Sequence, residues 1–114
     1  MNPKINILIL NWNGSKYLID LIRSINKNAY SNYKITVIDN NSDDDSLDKI
    51  NNEKVDIISH KYNYKYAKGY NKAIFKLKND DSKFLLLLNN DTICDKNILN
   101  SFLHALNKYG DNCI

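Results

Sequence analysis

The chain has 114 residues and a mass of 13.3 kDa, with 43% hydrophobic and 25% charged residues, which is enough to bury one core without staples and predicts a single domain over 1–114. A net charge of +3 and a pI near 8.8 suit a phosphate-bearing ligand but fall short of the footprint of a nucleic-acid-binding domain. Cys94 and Cys113 have neither a CxxC partner nor a His at metal-ligand spacing, which argues against a zinc or redox pair and predicts free thiols in a cytoplasmic setting.

In chain order, Ile5 to Leu10 is a short apolar run that ends in Asn11-Trp12-Asn13-Gly14, a buried strand followed by a turn. Leu18, Leu21, Ile22 and Ile25 then mark one face of a helix, with Ser15 or Asn13 available to cap it. Ile35 to Ile38 is a second strand, closed by Asp39-Asn40-Asn41. Ser42 with Asp45 three residues on has the form of a capping box for a second helix. Val55 to Ser59 reads as a third strand, His60 to Lys65 as a polar loop, and a helix from about Ala67 puts Tyr70, Ala73, Ile74 and Leu77 on one face. Phe84 to Leu88 is a fourth strand. The last helix, near Lys96 to Tyr109, points Leu99, Phe102, Leu103 and Leu106 inward, and Gly110 is its stop.

Strands alternating with amphipathic helices predict an α/β fold, a Rossmann-like parallel sheet with helices on both faces. In such sheets a ligand sits beyond the carboxyl ends of the strands, where the strand order reverses. For an order of 3-2-1-4 the crevice lies between the first and fourth strands, bordered by Asn11 to Gly14 and by Asn89 to Thr92, with Asp39 close by. That placement accounts for LLLLNNDT, an apolar run that discharges at once into two amides and a carboxylate. GxGxxG and GxxxxGK[ST] are both absent, so phosphates must be met by a metal or by side chains. Asp91 can supply a carboxylate to a divalent ion shared with phosphate oxygens.

The succession ILILNWNG, VIDNNSDDDS, NYKYAKGYNKAI and LLLLNNDT resembles the amino-terminal, nucleotide-binding half of the family 2 glycosyltransferases of GT-A fold, the rhamnosyltransferase-like branch especially, over nearly the whole chain. The resemblance implies that Asn11 and Asn13 cup the base of a nucleoside-diphosphate sugar and that Asp39 hydrogen-bonds the base or ribose. It further implies that Lys68, Gly69 and Asn71 pack under the nucleotide and approach its diphosphate. Asn89-Asn90-Asp91 falls on the DxD motif, whose last Asp binds Mg²⁺ or Mn²⁺. Two positions depart from the pattern: Asn89 stands where many relatives have Asp, and Lys65 where relatives often have Gly. Relatives invert the anomeric centre with a carboxylate general base acting on the hydroxyl of a glycan or other acceptor. No catalytic residue is assigned within the chain. GDNCI is similar to the start of the next strand, so the base and the acceptor site are expected beyond residue 114, leaving a fragment or truncated relative that binds but hardly catalyses.

Duller roles are open to several of these residues. Asn13-Gly14 is good turn chemistry, Ser42 and Asp43 to Asp45 suit a helix cap, and Trp12 suits packing. The Lys/Tyr-rich segment 60–72 offers a rival function, an RNA- or single-stranded-DNA-binding module. A receiver domain with Asp39 as phosphoacceptor is disfavoured by the lack of an acidic pair after the first strand. The apolar strand 84–88, if left as an edge, predicts a homodimer. A cytoplasmic protein, peripheral at the inner face of the membrane in its intact form, is the expected location.

Overall fold

A computed structural model describes residues 2–110; Cys113 and the rest of 111–114 lie outside the described residues, as does the strand expected to begin there. The elements in chain order are β1 (Ile5–Asn11), α1 (Leu18–Asn26), β2 (Tyr33–Asp39), α2 (Ser46–Lys49), β3 (Asp56–Ser59), α3 (Lys65–Lys76), β4 (Phe84–Asn89) and α4 (Ile98–Tyr109). The strands form one sheet in the order β3-β2-β1-β4, every neighbouring pair parallel.

Alternation along β1 divides the core in two. Ile5, Ile7 and Ile9 face α1, α2 and α4 and pack with Leu18, Leu21, Ile22, Ile25, Val37, Ile50 and Leu99. Leu8 faces the other way, with Ile38, Tyr70 and Ala73, under α3. One helix is about 10 Å wide and strands are about 4.8 Å apart, so α3 covers roughly two strands. The expectation that both faces of every strand are covered is corrected accordingly. β1 and β2 are buried on both faces, whereas β4 alternates, with Leu85 and Leu87 left 40% and 39% exposed on the α3 side. Phe102, expected inside, is also exposed; α4 is held by Leu99 with Leu103 and Ile98.

Helix starts differ from the sequence reading too. α1 has no side-chain cap, and its first turn is closed by the Gly14 carbonyl, which accepts from the N–H groups of Tyr17 and Leu18. α2 begins four residues after Ser42, because the Ser42 hydroxyl is engaged elsewhere, in the site described next.

Candidate functional site

Parallel register brings the strand ends together. Asn11 pairs with Asp39 across β1 and β2, and Leu10 pairs with Asn89 across β1 and β4, so Asn90 arrives beside Asn11. The Asn11 side chain, fully buried, links all three segments. Its Nδ2 donates to Asp39 Oδ1 at 3.0 Å and to Ser46 Oγ at 3.0 Å, and its Oδ1 accepts from Asn90 Nδ2 at 3.1 Å. Asp39, 4% exposed, also accepts from Ser42 Oγ at 2.7 Å and from the Ser42 N–H at 3.0 Å. Ser42 Oγ in turn accepts from the Asn13 N–H at 2.9 Å, while Asn13 Oδ1 accepts from the Asp43 N–H at 2.9 Å. These residues make a clasp of amides, hydroxyls and one carboxylate that fixes three loops against one another.

Gly14 is needed there for space: a Cβ at that position would overlap the Asn11 and Asn90 amides. The left-handed backbone of the turn falls on Asn13 instead, with φ 50°. Asn41 (φ 61°) and Lys65 (φ 64°) are also left-handed, so among the described residues every non-glycine with positive φ borders this end of the sheet. Asn tolerates that conformation because its short polar side chain bonds locally; Lys does not. The position where relatives often carry Gly is thus one where glycine's backbone freedom is wanted.

Outside the clasp lies an open cleft of about 510 Å³ lined by Leu10, Trp12, Asn40, Asn63, Lys65, Tyr66, Asn89, Asn90 and Asp91. Larger hollows of about 530 and 560 Å³ lie elsewhere, around Tyr30, and are not bordered by the carboxyl ends of the strands. Trp12, expected to pack, is 53% exposed on the cleft wall. Asn40 was not singled out in the sequence. Its side chain is buried, Nδ2 donates to the Lys65 carbonyl at 3.0 Å, and Oδ1 has no partner. A buried acceptor left unpaired is costly to the fold. The only sequence signal was its place directly after Asp39.

The third motif divides. Gly69 is buried against this end of the sheet, where a Cβ would come 2.9 Å from Asn40 Nδ2 and 3.0 Å from Leu10 Cδ1. Lys68 and Asn71 are exposed on α3 and do not line the cleft; the Lys68 ammonium lies over the Tyr64 ring at 5.0 Å. Tyr70 fixes the sheet below the cleft: its hydroxyl donates to the Leu88 carbonyl at 2.9 Å and accepts from the Leu10 N–H at 3.3 Å. Burial pushes its phenol up to about 12 even though the Leu10 bond works the other way. Of the aromatics in the segment behind the rival nucleic-acid reading, Tyr70 is buried and Tyr64 is covered by Lys68, Lys72, Tyr62 and His60, while Tyr62 and Tyr66 stay exposed.

Asp91 is exposed and unpaired with any cation among the described residues, where no three potential ligands gather for a metal. A lone carboxylate beside two amides fits an ion that completes its shell with phosphate oxygens and water, as Mg²⁺ commonly does.

The sequence model described as "Glycosyl transferase family 2" matches residues 6–114. The chain belongs to that family. Among solved structures, this glycosyl transferase family 2 chain is similar to S. aureus TarS in complex with UDP-GlcNAc, at 21% identity and a TM-score of 0.78, over 93% of this chain and 32% of TarS. It is similar also to the mannosyltransferase PcManGT from Pyrobaculum calidifontis, in complex with GDP-Man and Mn²⁺, at 13% identity and a TM-score of 0.79, over 93% of this chain and 33% of that one. The fold is the GT-A type. The chain therefore spans about a third of the length of these neighbours. No curated protein matches it by sequence.

Proposed function

We propose that residues 1–114 form the donor-binding domain of a glycosyltransferase, which holds a nucleoside-diphosphate sugar for transfer to a glycan or other acceptor with inversion at the anomeric carbon. The observation that carries this reading is the clasp of Asn11, Asp39 and Asn90 at the strand ends, with an open cleft and Asp91 on its rim. In this reading Asn11, Asn13 and Asp39 are positioning residues, because their polar atoms are turned into the clasp. Trp12, Asn40 and Lys65 meet the nucleotide, while Asn89, Asn90 and Asp91 serve its ribose and diphosphate. Gly69 provides room under the nucleotide. Lys68 and Asn71 are left out, since neither lines the cleft.

Asp91 would hold Mg²⁺ or Mn²⁺ jointly with the diphosphate, and the chemistry such an ion supplies is stabilisation of negative charge on the departing group. Asn89 is neutral where many relatives have a second carboxylate, so it can hydrogen-bond ribose hydroxyls but adds no charge to hold the ion. Isothermal titration with UDP, dTDP and GDP, with and without Mn²⁺, tests the reading. At least one diphosphate is expected to bind more tightly with the ion, and Asp91→Ala is expected to abolish that ion dependence with thermal stability unchanged. No binding by any of the three would overturn it.

A second part of the proposal is self-association of residues 1–114, taken by themselves, through β4. FLLLLN has no charge, proline or bulge to discourage strand pairing, and among the described residues β4 pairs with β1 alone. Sedimentation is expected to show dimers that Leu87→Lys disperses; a stable monomer at high concentration would count against it.

A further inference from the structure

Charge is distributed unevenly along the chain. Residues 61–78 contain six lysines and no acid, so the remaining residues together are net negative although the whole carries +3. Asymmetry of this kind marks a surface made for an anionic partner. The structure concentrates these lysines on α3. Its inward face, Gly69, Tyr70 and Ala73, is committed to the sheet, and Lys68, Lys72 and Phe75 follow one another at helical spacing on the opposite side. Phe75 is 73% exposed, with the Lys78 ammonium 5.3 Å from its ring. Just before the helix Tyr62 is 66% exposed, and no residue of α3 is acidic.

We propose that the outward face of α3, Lys68, Lys72, Phe75 and Lys78 with Lys61 and Tyr62 at its start, docks the protein on an anionic lipid surface. A cluster of lysines on one helical face is attracted to acidic headgroups, and an aromatic ring among them can enter the boundary between headgroups and acyl chains. Phe75 suits a lipid surface: its exposed ring carries no polar atom and gains by leaving water for the acyl boundary, and the RNA arm of the test below covers the other use of such a ring, stacking on a base. Of the neighbouring tyrosines, Tyr64 is covered by Lys68 and Lys72, and Tyr62 stays exposed beside them. The contact is peripheral, since no helix among the described residues is long and apolar enough to cross a membrane.

This inference stands apart from donor binding and is tested without a nucleotide. Co-sedimentation with phosphatidylcholine vesicles containing about 30% phosphatidylserine is compared with pure phosphatidylcholine, at low salt and at about 0.5 M salt. Binding is expected only to the acidic vesicles, at least tenfold weaker at high salt. The double variant K72E/K78E is expected to lose at least tenfold in vesicle affinity, and Phe75→Ser several-fold with its salt dependence kept, both with unchanged thermal melting. Equal binding to neutral vesicles, no binding to acidic ones, or full binding by the double variant would overturn the proposal. So would tighter binding of single-stranded RNA than of acidic vesicles at the same salt, which would assign the face to nucleic acid.

Discussion

The two ends of the sheet both bury polar side chains, and they use them differently. At the amino end Asn6, fully buried in β1, accepts from Thr36 Oγ1 at 2.8 Å and donates to Asp80 Oδ2 at 3.0 Å. Asp80 is paired with Lys34, and Lys4 with Asp81 at 2.8 Å. The charges there are matched and the backbone is regular; Ser82 Oγ is the one loose atom. At the carboxyl end three residues take left-handed backbone, Asn40 Oδ1 is unmatched and Asp91 is unpaired with any cation among the described residues. One buried atom is unmatched at each end, so the ends differ in charge and backbone instead: Asp80 and Asp81 are paired with lysines, whereas Asp91 has no cation among the described residues.

The largest expected effect tests whether the clasp is structural. Asp39→Ala leaves Asn11 and Ser42 without their shared acceptor and is expected to cost about 3 kcal/mol in chemical denaturation, together with loss of nucleotide binding. At the other end Asp80→Asn is expected to cost about 2 kcal/mol and to leave nucleotide affinity unaltered. That residue also gives the comparison a pH axis. Burial opposes its ionised form, but the Lys34 ammonium and bonds from Ser82 outweigh burial and hold the carboxyl well below the ordinary range. A carboxyl lowered in the folded state stabilises above its unfolded value, near 4, and the contribution is lost as pH falls through the folded value. Stability measured by denaturation should therefore decline below about pH 4, and less steeply in Asp80→Asn.

The smallest effect has the opposite sign. Lys65→Gly relieves a left-handed lysine and is expected to stabilise the fold by up to about 1 kcal/mol, while weakening nucleotide affinity through loss of the ammonium at the cleft. A destabilised variant with unchanged affinity would remove Lys65 from the cleft's function.

Element types were legible because Ile5–Leu10, Ile35–Ile38 and Phe84–Leu88 are short apolar runs, each ending in amides and acids and each followed by a segment of helical periodicity, and that alternation suggested the parallel sheet. Cap chemistry was less legible. Ser42 and Asp45 have capping-box spacing, yet the Ser42 hydroxyl donates to Asp39 three residues earlier and accepts from the Asn13 N–H of the neighbouring loop, so it does not cap the helix. Asn40 was missed, and Trp12 was assigned to packing, for the same reason. Whether a strand-end residue turns into the clasp or out to the cleft depends on the neighbouring strand, which spacing along one chain does not encode. Half-covered β4 was hidden by its composition, since Leu85 and Leu87 look like core until the width of α3 is known.

The Asn11 and Asp39 side chains meet only because two parallel strands are aligned residue for residue over their whole length. A slip of one position would turn Asn11 to the opposite side of the sheet and open every loop it ties. Correct alignment and competence for ligand are then acquired in the same folding event, and a bound nucleotide would report that the central pair of strands has found its proper match.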